Sequence, residues 1–578
     1  MLTVHHITNP HIIWERKIVS SLCTLLGLFI LNLFVGSSFC FAQQSQPNRV
    51  LDNPGERFLE RQQRERDQEN RERPQDRLDV PREESLEVIE SSEEPSFKVD
   101  SIELKGATLL SHDVVRSIVS RYEKSLLTRG LINKLMLDLT NAYIDAGYVT
   151  TRVYIPQQNL SSQKLKLQVV EGKIEKLSIN KDGLRDRSKL WTAFPNSKGH
   201  YLNLRDLEQG LDQINRAPSG RAKLQMLPGE KPGESLVQIE NKAINPYRFS
   251  TTFDNAGQKI TGIERLRFAL DLDNLLALND MLSLNYIGSE DTNAFAGSAS
   301  IPWGYWTFYG NASYSEYLTT LAPDAELLGD ASSVGAGANL VVFRDKTQKT
   351  SFDLSLGRKS SGRILNDVQL ASQTLTVMRF GATHLWRPAN NVLQVDAFYH
   401  RGLPLFDAPS DPSSITRDVP HSEFNKFEAN VYYFQPLLNW ISFRSTLNGQ
   451  YSVESLFGSE QTVMGDSATV RGYNGSGVAG DDGVFCRNEL LFGVPFKIEQ
   501  PFLQSVVAQL QPYAFFDAGY ASTKASRVDS WLSGTGVGLR LTADRFNFDV
   551  TYATPVDHHN VTGVHSDELY FTVTLKAL

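Results

Sequence analysis

Cysteine and methionine are scarce in this chain of 578 residues, with three Cys and six Met. Cys23 and Cys40 lie near the N-terminus, so a chain processed after residue 42 keeps only Cys486 and forms no internal disulfide. Excess positive charge is missing too. The 58 Lys and Arg against 66 Asp and Glu leave a net −8, which gives nucleic acid no electrostatic footprint. Beyond residue 35 there is no long apolar run, and mean hydropathy is −0.29, which excludes a bundle of membrane-crossing helices. No zinc-protease helix motif or nucleophile elbow occurs, so no enzyme, cofactor or metal site is expected. Gly335-Ala336-Gly337 and Gly534-Thr535-Gly536-Val537-Gly538 are not phosphate loops, because no helix follows them. Asp557, His558, His559, His565 and Asp567 read as a hydrated loop, their geometry being unconstrained as a metal site. What is plentiful is Gly (40), Tyr (20) and Phe (31), a mix suited to strands and turns.

The one apolar run, Ile18 to Val35, follows Arg16-Lys17 and precedes Gly36-Ser37-Ser38, the order of a secretory signal peptide. Residues 1–42 are therefore expected to be removed after Ala42; an uncleaved anchor helix is the rival reading. Bulky Phe39 argues against Cys40 as a lipidation site. Residues 43–95 are polar. Glu56/Glu60, Arg57/Arg61 and Glu60/Arg64 lie four apart, which predicts a solvated helix of about 18 residues ending before Pro74. It is either a linker helix or a mobile element for a polar channel. Asp76 to Ser96 reads as an acidic linker.

From Phe97 the pattern becomes strand–helix–helix–strand–strand, twice over. The first round has strands at Val99–Leu104, Thr151–Ile155 and Leu165–Val170 and helices at Ser111–Ser120 and Ile132–Asp145. The second has strands at Ile174–Ile179, Ala222–Leu227 and Ser235–Glu240 and helices at Arg187–Phe194 and Leu204–Asn215. The segments Gly147-Tyr148-Val149-Thr150-Thr151-Arg152-Val153-Tyr154-Ile155-Pro156-Gln157-Gln158-Asn159-Leu160 and Val169-Val170-Glu171-Gly172-Lys173-Ile174 carry a further signal. So do Leu204 through Arg216 and Leu227-Pro228-Gly229-Glu230. Together these resemble the paired POTRA modules of two-partner secretion transporters. The resemblance implies POTRA domains at 96–173 and 174–244, with client-binding segments around Gly147, Tyr154, Leu165 and Leu167. Residue by residue, a purely structural role also stands: Gly147 would cap a helix and Gly229 turn a hairpin.

Residues 245–578 alternate with period two. Leu282/Leu284/Tyr286, Phe352/Leu354/Leu356, Leu393/Val395/Ala397/Tyr399 and Phe546/Phe548/Val550/Tyr552 each interleave with polar residues. A soluble sandwich and an outer-membrane barrel both fit alternation. Turn lengths favour the barrel, because tight links (302–304, 345–347, 387–390, 543–544) alternate with longer polar ones (317–333, 359–372, 404–420, 453–481, 555–566). About 16 strands of about 9–11 residues are expected. The chain ends in Leu578, out of phase with Phe571, Val573 and Leu575.

The longest link holds Val470-Arg471-Gly472-Tyr473, and Phe516-Asp517-Ala518-Gly519 follows two strands later. These resemble the inward-folded loop tip and the wall motif of the superfamily of outer-membrane insertases and secretion transporters. The resemblance implies an ion pair, Arg471 with Asp517, locking the loop inside the lumen, with Gly472, Tyr473, Phe516 and Gly519 around it. Arg487 and Glu489, on the preceding strand, share the lumen face and are candidates to extend the network. The fold expected is thus a 16-stranded antiparallel transmembrane β-barrel behind two small α/β POTRA domains and a leader helix. Its implied partners are an unfolded secreted exoprotein in the periplasm, outer-membrane lipid and, during biogenesis, the barrel assembly machinery. An assembly factor of the same superfamily, a passive porin with periplasmic adaptors and a soluble periplasmic scaffold are the alternatives.

Overall fold

A computed structural model describes residues 95–578 apart from 181–182, 196, 243, 260, 323–324, 496–508, 544, 565–566 and 578. The signal segment, the leader helix, most of the acidic linker and Leu578 fall outside the described residues.

The first small unit runs β1 (Phe97–Val99), β2 (Ser101–Lys105), α1 (His112–Val119), β3 (Ser125–Leu127), α2 (Arg129–Asp145), β4 (Arg152–Tyr154) and β5 (Lys164–Val170). Thr128 starts α2 by accepting from the Leu131 amide, and Gly147 ends it with φ +93°, a backbone state that glycine adopts without penalty. Strand β5 lies central in the order β2-β5-β4, parallel to β2 and antiparallel to β4. Leu135, Leu139 and Tyr143 of α2 pack with Leu165 and Leu167 of β5 in one buried core. Glu171 ties the unit together: its carboxylate accepts from the Thr108 and Leu109 amides (2.6 and 2.8 Å) and from the Tyr143 hydroxyl (3.1 Å). Burial and the Glu171 carboxylate push the Tyr143 phenol well above its ordinary pKa.

The second unit repeats the plan with β6 (Lys173–Ile179), α3 (Leu184–Ala193), α4 (Leu204–Asn215), β7 (Ala222–Pro228) and β8 (Glu234–Asn241). Its sheet order is β6-β8-β7, with β6 parallel to β8. The two units meet where the Leu204 amide donates to Gly147 O (2.8 Å).

Then comes the barrel: β9 (Tyr247–Asp254), β10 (Arg265–Asp273), β11 (Met281–Gly288), β12 (Thr292–Trp303), β13 (Trp306–Ala322), β14 (Ala325–Arg344) and β15 (Gln348–Leu365). It continues through the two-residue β16 (Val368–Gln369), β17 (Gln373–Trp386), β18 (Val392–Gly402), β19 (Asn425–Leu438) and β20 (Ile441–Ser452). Strands β21 (Thr462–Met464) and β22 (Val478–Gly480) belong to the long loop, and β23 (Asp482–Phe492) returns to the wall, followed by the two-residue β24 (Val494–Pro495). Strands β25 (Gln509–Thr523), β26 (Val528–Thr542), β27 (Phe546–His559) and β28 (Glu568–Ala577) complete it, β28 pairing with β9. Sixteen antiparallel strands thus close a cylinder among the described residues, leaving no sheet edge in the wall. The apolar partner of each alternating pair faces outward: Leu284, Phe295, Phe352, Leu354, Val395 and Tyr552 are exposed, whereas Ser283, Asn285, Gln394, Asp396 and Thr551 are buried. At the end of the barrel nearer the small units, Trp303 and Trp306 pair across β12 and β13 on the outward face, and Trp440 in the turn between β19 and β20 is exposed.

Three of the expected long links need correction. Residues 317–322 and 325–333 are strand, not loop: β13, β14 and β15 run 17, 20 and 18 residues. Residues 359–365 and 555–559 are likewise strand. Above the apolar band a ladder can continue with polar residues on both faces, so hydrophobic alternation ends before the strand does.

The second unit is joined to the barrel's short turns by polar contacts. Gly304 O accepts from Gln213 Nε2 (2.9 Å) and the Gly304 amide donates to Thr192 O (2.7 Å). Arg344 Nη1 meets Asp212 at 2.6 Å, and Arg216, whose pKa burial lowers to about 10, donates to Ser300 Oγ and Asn279 O.

Candidate functional site in the barrel lumen

The loop between β20 and β23 folds inward. Its β21 and β22 pair antiparallel, and Met464, Val470, Tyr473 and Val478 form a buried cluster with Phe485, Ala521 and Leu532 of the wall. Asp466 caps the turn into the tip by accepting from the Ala468 and Thr469 amides, both at 2.8 Å. Beyond it, Arg471 is 2% exposed.

Arg471 forks onto Asp517, which is fully buried: Nε to Oδ2 is 2.6 Å and Nη2 to Oδ1 2.8 Å. Its third nitrogen, Nη1, donates to Glu489 Oε1 at 2.8 Å. A planar fork serving two carboxylates at once is geometry that lysine lacks. The guanidinium also lies over the Phe515 ring, 3.5 Å from its centroid. The wall register explains the convergence, since Arg487 pairs with Asp517 and Glu489 with Phe515 across β23 and β25. Gly472 (φ +101°) passes the wall closely, a Cβ there lying 3.1 Å from Pro555 N, and its amide donates to the Tyr570 hydroxyl (3.1 Å). The single Tyr473 O–H donates to Ser533 O (2.7 Å), with Asp557 O also within reach at 3.0 Å. Gly519 leaves space for the loop: a Cβ would stand 2.8 Å from Met464 Sδ. Arg487 holds the tip's backbone through Nη1 to Ala468 O (2.9 Å).

Phe516 does not join this group. Its side chain faces outward, because neighbours in a strand point to opposite sides and Asp517 points in. Phe515 takes the place expected of it. Several participants carried no sequence motif. Arg444 and Arg540 both contact Glu489 (3.1 and 3.0 Å), and Arg540 reaches Asp549 (2.7 Å). Gly534 lies so close to the tip that a Cβ would fall 2.0 Å from Arg471 O. A second attachment sits at the loop's base, where Glu460 bridges Lys359 of β15 and Lys426 of β19, each at 2.7 Å. The loop therefore runs across the lumen between two charged anchors.

In the first small unit, Leu165 and Leu167 are core residues of a central strand, so neither their side chains nor their strand edges can meet a client. Gly147 is buried at the joint between units, against Asn203. Tyr154 is exposed on the edge strand β4 and alone of the four is placed to touch one.

The haemolysin secretion/activation protein ShlB/FhaC/HecB family model matches residues 233–541. An ShlB-type POTRA domain model matches 97–172 and a further POTRA model 173–228. An outer membrane transporter CdiB of Dickeya dadantii is 32% identical over 477 residues, covering 80% of this chain and 84% of that protein. The hemolysin transporter protein ShlB of Serratia marcescens is 32% identical over 406 residues, covering 68% and 71%. The solved structure of CdiB from Escherichia coli superposes with a TM-score of 0.82 at 27% identity, over 92% of this chain and all of that one.

Proposed function

The chain belongs to the haemolysin secretion/activation protein family, and we propose that its lumen loop, held by Arg471 on Asp517 and Glu489, controls passage of the exported client. It is an outer-membrane transporter of the two-partner secretion type, with its POTRA domains in the periplasm, and it exports a secreted partner protein. The observation that carries the gating role is the buried fork itself. A loop of about 30 residues loses conformational entropy on being held inside a pore, and a desolvated charge network at its tip offsets that loss. The client arrives unfolded, and its extended backbone adds as a strand at the β4 edge beside Tyr154, recognised by main-chain hydrogen bonds more than by sequence. Outer-membrane lipid covers the outward apolar face, and the barrel assembly machinery closes the β28–β9 seam during insertion. We read the role as non-enzymatic, in keeping with a sequence that carries no zinc-protease helix motif or nucleophile elbow.

Arg471→Ala and Asp517→Ala are each expected to abolish appearance of a co-expressed client in the medium while the barrel remains inserted and heat-modifiable in detergent gels. Normal export by both variants would remove the gating role.

A further inference from the structure

Helix α3 of the second POTRA domain presents Leu184, Arg187, Ser188 and Trp191 at positions i, i+3, i+4 and i+7, one face of the helix. Leu184 is 83% exposed and Trp191 58% exposed, and the two lie on this one face. Where this face lies is settled by its neighbours. Trp191 packs edge-on against Trp303, ring centroids 4.1 Å apart. Trp303 ends β12, in phase with the outward Phe295, so Trp191 touches the outside of the barrel wall. Exposed Trp306, stacked on Phe308, stands opposite Trp303 in the ladder. At the neighbouring periplasmic turn Arg185 Nη2 donates to Asn274 O (3.1 Å), and Leu275 and Leu276 there are exposed. Helix α4 lies on the inner side by contrast, since Arg216 at its end bonds Ser300, whose side chain is in phase with the lumen face.

The exposed face of α3 is therefore continuous with the apolar, aromatic rim that the barrel turns to lipid. Its charge fits the same neighbour: Arg185, Arg187 and Lys189 outnumber Asp186 on the helix. Leucine and tryptophan with flanking basic residues is the composition of a helix lying in a membrane interface. We propose that α3 rests on the periplasmic leaflet of the outer membrane, with Leu184 and Trp191 at the headgroup–acyl boundary and its basic side chains on phospholipid phosphates. The second POTRA domain is then held by lipid as well as by the barrel turns, which sets its tilt beneath the pore.

The test uses the full chain in vesicles of phosphatidylethanolamine and phosphatidylglycerol carrying a trace of phospholipid with a photoreactive group near the headgroup. Adducts are mapped by mass spectrometry, with no client present. Labelling of the 184–191 segment together with the rim around Trp303 and Trp306 is expected, and Leu184→Asp should lower labelling of that segment several-fold while rim labelling stays constant. A labelled rim with an unlabelled 184–191 segment overturns the proposal, as does a Leu184→Asp chain labelled like the native one. An unlabelled rim would instead contradict insertion of the barrel, so the two failures are distinguishable.

Discussion

Arg471 sits in a group where four guanidiniums (Arg444, Arg471, Arg487, Arg540) face three carboxylates (Glu489, Asp517, Asp549). Removing one partner from a buried pair costs about 3–5 kcal/mol, because the other charge stays desolvated. Arg471→Lys should therefore lower export without abolishing it: the charge remains, but a single ammonium cannot fork onto Asp517 and reach Glu489 as well. Client recovered in the medium, compared with Arg471→Ala, measures this. Gly534→Ala should impair export as strongly as loss of the fork, since its Cβ would fall 2.0 Å from the Arg471 carbonyl oxygen, a backbone atom with little freedom to move. Gly310→Ala, whose Cβ meets nothing closer than 3.6 Å, is the control and should export normally. The Arg471 and Asp517 partners were legible in the sequence because each sits in a short motif. Phe515 shares the lumen face of Asp517 by alternation, and the Gly534–Gly538 run leaves room for a loop inside, but Arg444 and Arg540 were not legible, because their roles depend on strand register and on which strands are neighbours, which no local pattern specifies. The inclusion of Phe516 shows the same limit in reverse: adjacency in a motif is not adjacency in a strand, where the next residue points the other way.

Among elements, the long loop behaves as a strut with two feet. Its tip rests on β23 and β25, and its base rests through Glu460 on Lys359 and Lys426. Glu460→Gln keeps the shape of the side chain but removes the charge that both lysines share. It should free the base while the tip stays fixed, and planar-bilayer recordings should show more frequent open events than the native chain. Unchanged recordings would mean the tip alone sets the loop's position. The POTRA helices and most of the strands were legible to within a few residues, since amphipathic periods of both kinds are present there, but the three-residue β3 was not, and the single strand expected over Val99–Leu104 breaks at Asp100 into β1, which pairs with β3, and β2, which pairs with β5. The extracellular ends of β13–β15 were not, because strand pairing outlasts the apolar alternation that reveals it. The Glu171 signature likewise reads as a family mark in sequence, whereas in the fold its carboxylate gathers the Thr108 and Leu109 amides and the Tyr143 hydroxyl.

At the scale of the whole molecule, export requires that a client held by the POTRA domains be aimed at the pore, and the joint between the second domain and the barrel decides that aim. This joint is mostly polar: Gln213 and Gln209 donate to Gly304 O, Tyr305 donates to Asp206 (2.5 Å), and Arg344 contacts Asp212 and Glu208. Such a surface holds by paired groups more than by apolar area, so it loosens when a buried partner is lost. Arg344, whose side chain is 9% exposed, is the central partner, and Arg344→Ala leaves Glu208 with Arg205 of its own helix and Asp212 with Lys349 at 3.9 Å, so the barrel's arginine contact with both carboxylates is lost. The barrel and the POTRA domain each keep their own core in this variant, so heat-modifiable migration should not change. The connection between β8 and β9 should instead open to protease several-fold faster, and export should fall with it. If cleavage quickens while export stays normal, orientation of the second POTRA domain is not needed for transport. If neither changes, the Trp191–Trp303 contact and the glutamine bonds hold the joint without the ion pairs.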